Sequence, residues 1–155
     1  MIEPTKTIQI NRLAVIGVGL IGGSFALAMR EKIKGLDVIG YGRCVEDLKR
    51  AADMGIIDSW TTVLSEAVCE ADVVMIATPV GAIPELFEKL KDYVPPECIV
   101  TDTGSAKREI VEAAHRSFVE SKVLFVPGHP IAGREKSGIE AAVGNLFVGQ
   151  KVILT

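Results

Sequence analysis

The chain has 155 residues, a net charge of −3, and 48% apolar but only 5% aromatic residues, which fits one domain burying roughly two-thirds of its unfolded surface. No run approaches the roughly 18 apolar residues of a membrane span. Met1-Ile-Glu-Pro-Thr-Lys6 lacks the apolar stretch of a secretion signal, and the charge and scarce rings give no reason to expect nucleic acid or an anionic membrane surface. Short apolar runs alternate with helical stretches. Strands are predicted at 13–16, 38–41, 73–77, 99–101, 123–126 and 151–154. Between them the spacing predicts a helix opening near 20, then helices at 45–54, 65–69, 83–90 and 105–118. Gly55 stops the second helix, and Pro84 is tolerated in the first turn of the fourth. Strands that are apolar throughout and separated by helices indicate a doubly wound, Rossmann-type α/β fold: a parallel sheet with helices on both faces.

Cys44, Cys69 and Cys98 are odd in number and widely spaced, with no C-x-x-C pair. They read as reduced thiols of a cytoplasmic protein, not as a disulfide frame or a metal site.

The first strand runs directly into Gly17-Val-Gly-Leu-Ile-Gly-Gly-Ser24, a G-x-G-x-x-G turn followed by a helix. That order is what a dinucleotide fingerprint needs. Gly17 permits the tight turn, Gly19 lets the backbone approach a pyrophosphate, and Gly22 lets helix and strand pack closely. The N–H groups that open the helix at Leu20 and Ile21 then face the phosphates. NAD-type domains usually present Asp or Glu after the second strand, to hold the ribose 2′-hydroxyl. Here that strand ends Tyr41-Gly42-Arg43, with no carboxylate until Glu46. Arg43 suits a 2′-phosphate, so the expected cofactor is NAD(P) with a leaning to NADP.

Two later strand exits carry polar groups. Thr101-Asp-Thr-Gly-Ser-Ala-Lys107 places Ser105 at a helix start, as a crevice group, a helix cap, or both. Pro127-Gly-His-Pro-Ile-Ala-Gly133 holds His129 between Gly128 and Pro130, where an imidazole can share a proton while hydride leaves. These two exits follow neighbouring strands, so a Ser105–His129 hydrogen bond is expected. His115 lies inside a helical pattern and reads as structural or solvated.

Gly17 to Ser24, Ala77-Thr-Pro-Val80, Thr101 to Lys107, and Gly128-His-Pro-Ile-Ala-Gly133 with Glu135 and Ser137-Gly138 together resemble the prephenate/arogenate dehydrogenase family of tyrosine biosynthesis. The resemblance runs in order along essentially the whole chain. It implies oxidative decarboxylation of prephenate to 4-hydroxyphenylpyruvate, or of arogenate to tyrosine, with NAD(P)+ accepting hydride. It also implies that His129 takes a hydrogen bond from the substrate's ring hydroxyl and that Ser105 orients His129. Thr78 and Pro79 line the nicotinamide and ribose side, and Glu135 gates the substrate pocket.

Where the family often carries a small hydroxyl residue, this chain has Arg134, which either pairs with a substrate carboxylate or faces solvent. Lys107, Arg134 and Lys136 are the cations within these motifs available to a dianionic substrate. The family's C-terminal helical domain, which forms a homodimer, lies beyond Thr155, so residues 1–155 are expected to be the dinucleotide-binding domain and poorly active alone. Two other readings compete: a β-hydroxyacid or imine-type dehydrogenase sharing this fold, and a non-catalytic nucleotide-binding regulatory module.

Overall fold

The computed structural model describes residues 8–155. Six strands form one parallel sheet: β1 (Arg12–Ile16), β2 (Asp37–Tyr41), β3 (Ser59–Thr61), β4 (Val73–Ile76), β5 (Ile99–Asp102) and β6 (Leu124–Val126). Their spatial order is β3-β2-β1-β4-β5-β6, the doubly wound order that reverses direction between β1 and β4.

The alternation in β1 divides the core. Ala14 and Ile16 face a cluster built with Phe87, Leu90, Ile110 and Phe118, from helices α4 (Ile83–Leu90) and α5 (Lys107–Phe118). Leu13 and Val15 face the opposite layer, with Ala26 and Leu48 from α1 (Leu20–Lys32) and α2 (Val45–Asp53). The short helix α3 (Leu64–Val68) joins the first layer through Ala67 and Val68. The doubly wound fold with two covered faces is therefore observed.

Phe87 is the largest fully buried side chain and meets Phe118 and Phe125 edge-on, with centroids 5.4 Å and 5.1 Å away. Phe87→Ala is expected to cost about 3–5 kcal/mol in urea denaturation, and a loss under about 1 kcal/mol would remove Phe87 from that role.

Three sequence expectations need correction. The last predicted strand does not extend the parallel sheet. Its core, β8 (Val152–Leu154), pairs antiparallel with β7 (Gly128–Pro130) in a separate two-stranded ribbon. Strand β3 was not foreseen, because three half-buried residues carry too little periodicity to register. The fifth helix starts at Lys107 rather than 105, and its N-cap is Ala106 with no side-chain cap bond, so Ser105 does not cap it.

The cysteines are all free. Cys98 is buried, and burial pushes its thiol up to about 12. No helix among the described residues is long and apolar enough to cross a membrane, and none of their carboxylate, thiol and imidazole side chains cluster as a metal site.

Candidate functional site

The switch point between β1 and β4 is built by the glycine turn. Gly17 has φ +92°, and a Cβ there would stand 2.8 Å from the carbonyl oxygen of Ala77. Its N–H donates to the Tyr41 carbonyl at 2.9 Å, while Ala77 N–H donates to the Ile16 carbonyl at 2.8 Å, so three strand ends are stitched together. Gly22 packs helix on strand: an added Cβ would lie 2.3 Å from the Gly17 carbonyl oxygen. At Gly19, by contrast, an added Cβ meets nothing within 4 Å. The three glycines thus divide into turn, open approach and close packing, as the motif predicts. Helix α1 begins immediately after, with no side-chain cap and no acidic residue in its first turn. Its unpaired N–H groups and positive dipole end therefore favour an anion.

A cleft of about 600 Å³ opens there, lined by Gly17, Gly19, Gly42, Arg43, Thr78 and Pro79 among others. Leu20, Ile21 and Gly22 do not line it; they form the first turn of α1 behind it. Thr78 Oγ1 is buried without a hydrogen-bond partner, an unpaired polar atom at the cleft wall that a bound ligand would satisfy. Together with the open approach at Gly19, this fits a dinucleotide.

Sequence reasoning missed several lining residues: Asp47, Leu86 and the Glu85–Lys89 pair, whose atoms lie 2.6 Å apart. Lys89 draws the Glu85 carboxyl below its ordinary range. These groups come from α2 and α4, and their signal was the turn spacing of those helices around the cleft rather than any motif. The first acidic residue on the wall is Asp47, not Glu46.

His129 sits one strand further along. β5 and β6 are neighbours in the sheet, and His129 follows β6 within β7, where it pairs with Ile153 of β8. It is half-buried and lines a second cavity of about 510 Å³ with Pro130, Ile131, Ala132, Gly133, Leu146 and Gln150. Ser105 follows β5 and is exposed, and no hydrogen bond joins it to His129 among the described residues. Arg134 and Glu135 are exposed on the loop after β7 and line neither cavity.

Lys107 is not a free cation for a substrate. Its ammonium pairs with buried Asp102 and donates to the Gly128 carbonyl at 2.7 Å. His115 is exposed on α5, away from both cavities.

The reversed strand order, the glycine turn at its switch point and the uncapped helix behind it define a dinucleotide-binding domain of the Rossmann type. The segments that follow β5 and β6 place Ser105 and His129 beyond the same carboxyl edge of the sheet.

Within that class the chain belongs to the family described as prephenate dehydrogenase, nucleotide-binding domain, whose model matches residues 25–155. It is 37% identical over 147 residues to a prephenate dehydrogenase of Lactococcus lactis subsp. cremoris, covering 94% of this chain and 41% of that protein. Among solved structures it resembles a prephenate dehydrogenase of A. aeolicus in complex with hydroxyphenyl propionate and NAD+. That likeness has TM-score 0.87 and 37% identity, over 97% of this chain and 52% of the other. It also resembles a Synechocystis arogenate dehydrogenase, with TM-score 0.84 and 34% identity over 93% and 49%. The chain therefore spans about half the length of these relatives.

Proposed function

We propose that residues 1–155 form the cofactor half of an NAD(P)+-dependent dehydrogenase that oxidatively decarboxylates prephenate or arogenate. The observation that carries this reading is the placement of His129 at a strand exit on the same sheet edge as the glycine turn. The cofactor, when bound, supplies the hydride acceptor. Gly17, Gly19 and the start of α1 hold its pyrophosphate, and Thr78 and Pro79 border its ribose and nicotinamide side. His129 accepts the proton of the substrate's ring hydroxyl as hydride leaves the same carbon. Loss of carbon dioxide then restores an aromatic ring, which makes the step downhill with no metal in the scheme. Ser105, not hydrogen-bonded to His129 here, would orient the imidazole once substrate and cofactor are bound, and Glu135 and Arg134, exposed on the loop after β7, would gate the substrate pocket and meet a substrate carboxylate. In the full-length protein a C-terminal helical domain completes the substrate pocket and the homodimer, in the cytoplasm.

For the cofactor, we read NADP over NAD. Arg43 lines the cleft with no ion pair among the described residues, and Gly42 lines the same cleft beside it. Titration of both dinucleotides into this chain is expected to show tighter NADP binding, lost in Arg43→Ala. Tighter NAD binding would overturn that preference. The activity itself is tested by steady-state assays of the natural full-length protein with prephenate and with arogenate. Turnover of neither would end the dehydrogenase reading, and family-like turnover by the 155-residue chain alone would end the division of labour.

A further inference from the structure

A buried ion pair holds the backbone just ahead of His129. Asp102, at the end of β5, is 1% exposed and accepts hydrogen bonds from the N–H groups of Gly104 at 2.8 Å and Gly128 at 3.2 Å. Lys107, in the first turn of α5, pairs with the same carboxylate and donates to the Gly128 carbonyl at 2.7 Å. Both polar backbone atoms of Gly128 are thus fixed by one pair of side chains. An added Cβ at Gly128 would stand 2.9 Å from the Asp102 carbonyl oxygen, so the two strand exits approach backbone to backbone. On its other side the His129 segment is tied by β8, with Ile131 N–H donating to the Lys151 carbonyl at 2.8 Å.

We propose that Asp102 and Lys107 are positioning residues that set the direction in which His129 presents its imidazole. Stability alone is a weak reason for such a pair, because desolvating two charges offsets most of their attraction. Fixing one backbone geometry is a better reason. Two of the three Lys107 ammonium donors are taken by Asp102 and by the Gly128 carbonyl, so the ammonium acts on the loop. A catalytic base displaced by even an ångström loses much of its advantage. This inference rests on the hydride-transfer reading of His129.

Removing Lys107 alone leaves an unpaired buried carboxylate, which can unfold the domain. The test therefore centres on the double variant D102N/K107M, whose Asn removes the buried charge together with its partner and keeps one carbonyl acceptor for the Gly104 or the Gly128 N–H. In this chain, with His115→Gln to isolate the signal, the imidazole cross-peak of His129 is expected to be displaced while NAD(P)+ affinity stays within about twofold of the parent. In the natural full-length protein the double variant is expected to lose about tenfold or more in kcat with KM little changed, while the single variant K107R, which keeps a cation opposite Asp102, is expected to retain most of it. An unmoved cross-peak in the folded double variant overturns the proposal, as does a parallel loss of cofactor affinity and kcat. If the cross-peak moves but His129→Asn leaves turnover intact, the positioning stands and the hydride-transfer reading fails.

Discussion

Replacing His129 by Asn in the natural full-length protein lowers kcat by about 10²- to 10⁴-fold, the usual contribution of a placed general base. NAD(P)+ affinity is expected to stay close to that of the parent, because His129 lines a cavity apart from the dinucleotide cleft. Asparagine keeps a polar side chain at β7 and removes the proton acceptor, so the ribbon with β8 should persist. Stopped-flow traces would then show normal cofactor binding followed by slow reduction. Full turnover without the imidazole would instead favour a nucleotide-sensing module, for which the cleft matters and the histidine does not.

The second large effect separates two glycines three residues apart. Gly19→Val should leave the thermal midpoint near that of the parent, since an added Cβ meets nothing within 4 Å and φ is −116°. Its methyl groups fill the space a pyrophosphate needs, so dinucleotide affinity should fall by about tenfold or more. Gly22→Val should do the reverse. Its Cβ would collide with the Gly17 carbonyl oxygen at 2.3 Å and with Val15 Cγ1 at 2.9 Å. Backbone cannot yield there as a flexible side chain can, and the expected cost is about 3 kcal/mol or more. Equal unfolding of the two variants in urea would refute the claim that Gly19 faces a ligand and Gly22 faces the protein.

Much of this was legible in the residues. Leu13 to Ile16 and Val73 to Ile76 are buried on both faces, so their unbroken apolar runs marked central parallel strands directly. The glycine motif could be read because each glycine answers a local steric demand. Less was legible where the partner is distant in sequence. The peptide of β3 takes its place from Ile39 to Tyr41, not from any pattern of its own. Asp102 looked like one more polar residue in a turn, because nothing local reveals that Gly128, 26 residues on, shares its carboxylate. Lys107 looked like a substrate cation for the same reason. The wall formed by Asp47 and the Glu85–Lys89 pair depends on how α2 and α4 lean over the switch point, which only the packed helices decide.

The ribbon of β7 and β8 implies that the protein has two different minimal lengths. The helix behind the dinucleotide cleft is supported by the segment that packs on α1, where Ile139 and Ala142 close over Gly23 and Val143 N–H donates to Ser24 Oγ at 2.9 Å. Phe147 adds an edge-on contact with Phe25 of α1 at 6.5 Å, and none of residues 148–155 lines the cleft. Presentation of the imidazole, however, needs Val152 to Leu154, the strand that lies beside it. A fusion junction or affinity tag spliced in between these two limits would spare nucleotide capture and slacken the histidine. Domain-swapped chimaeras of this family are therefore best joined after residue 154.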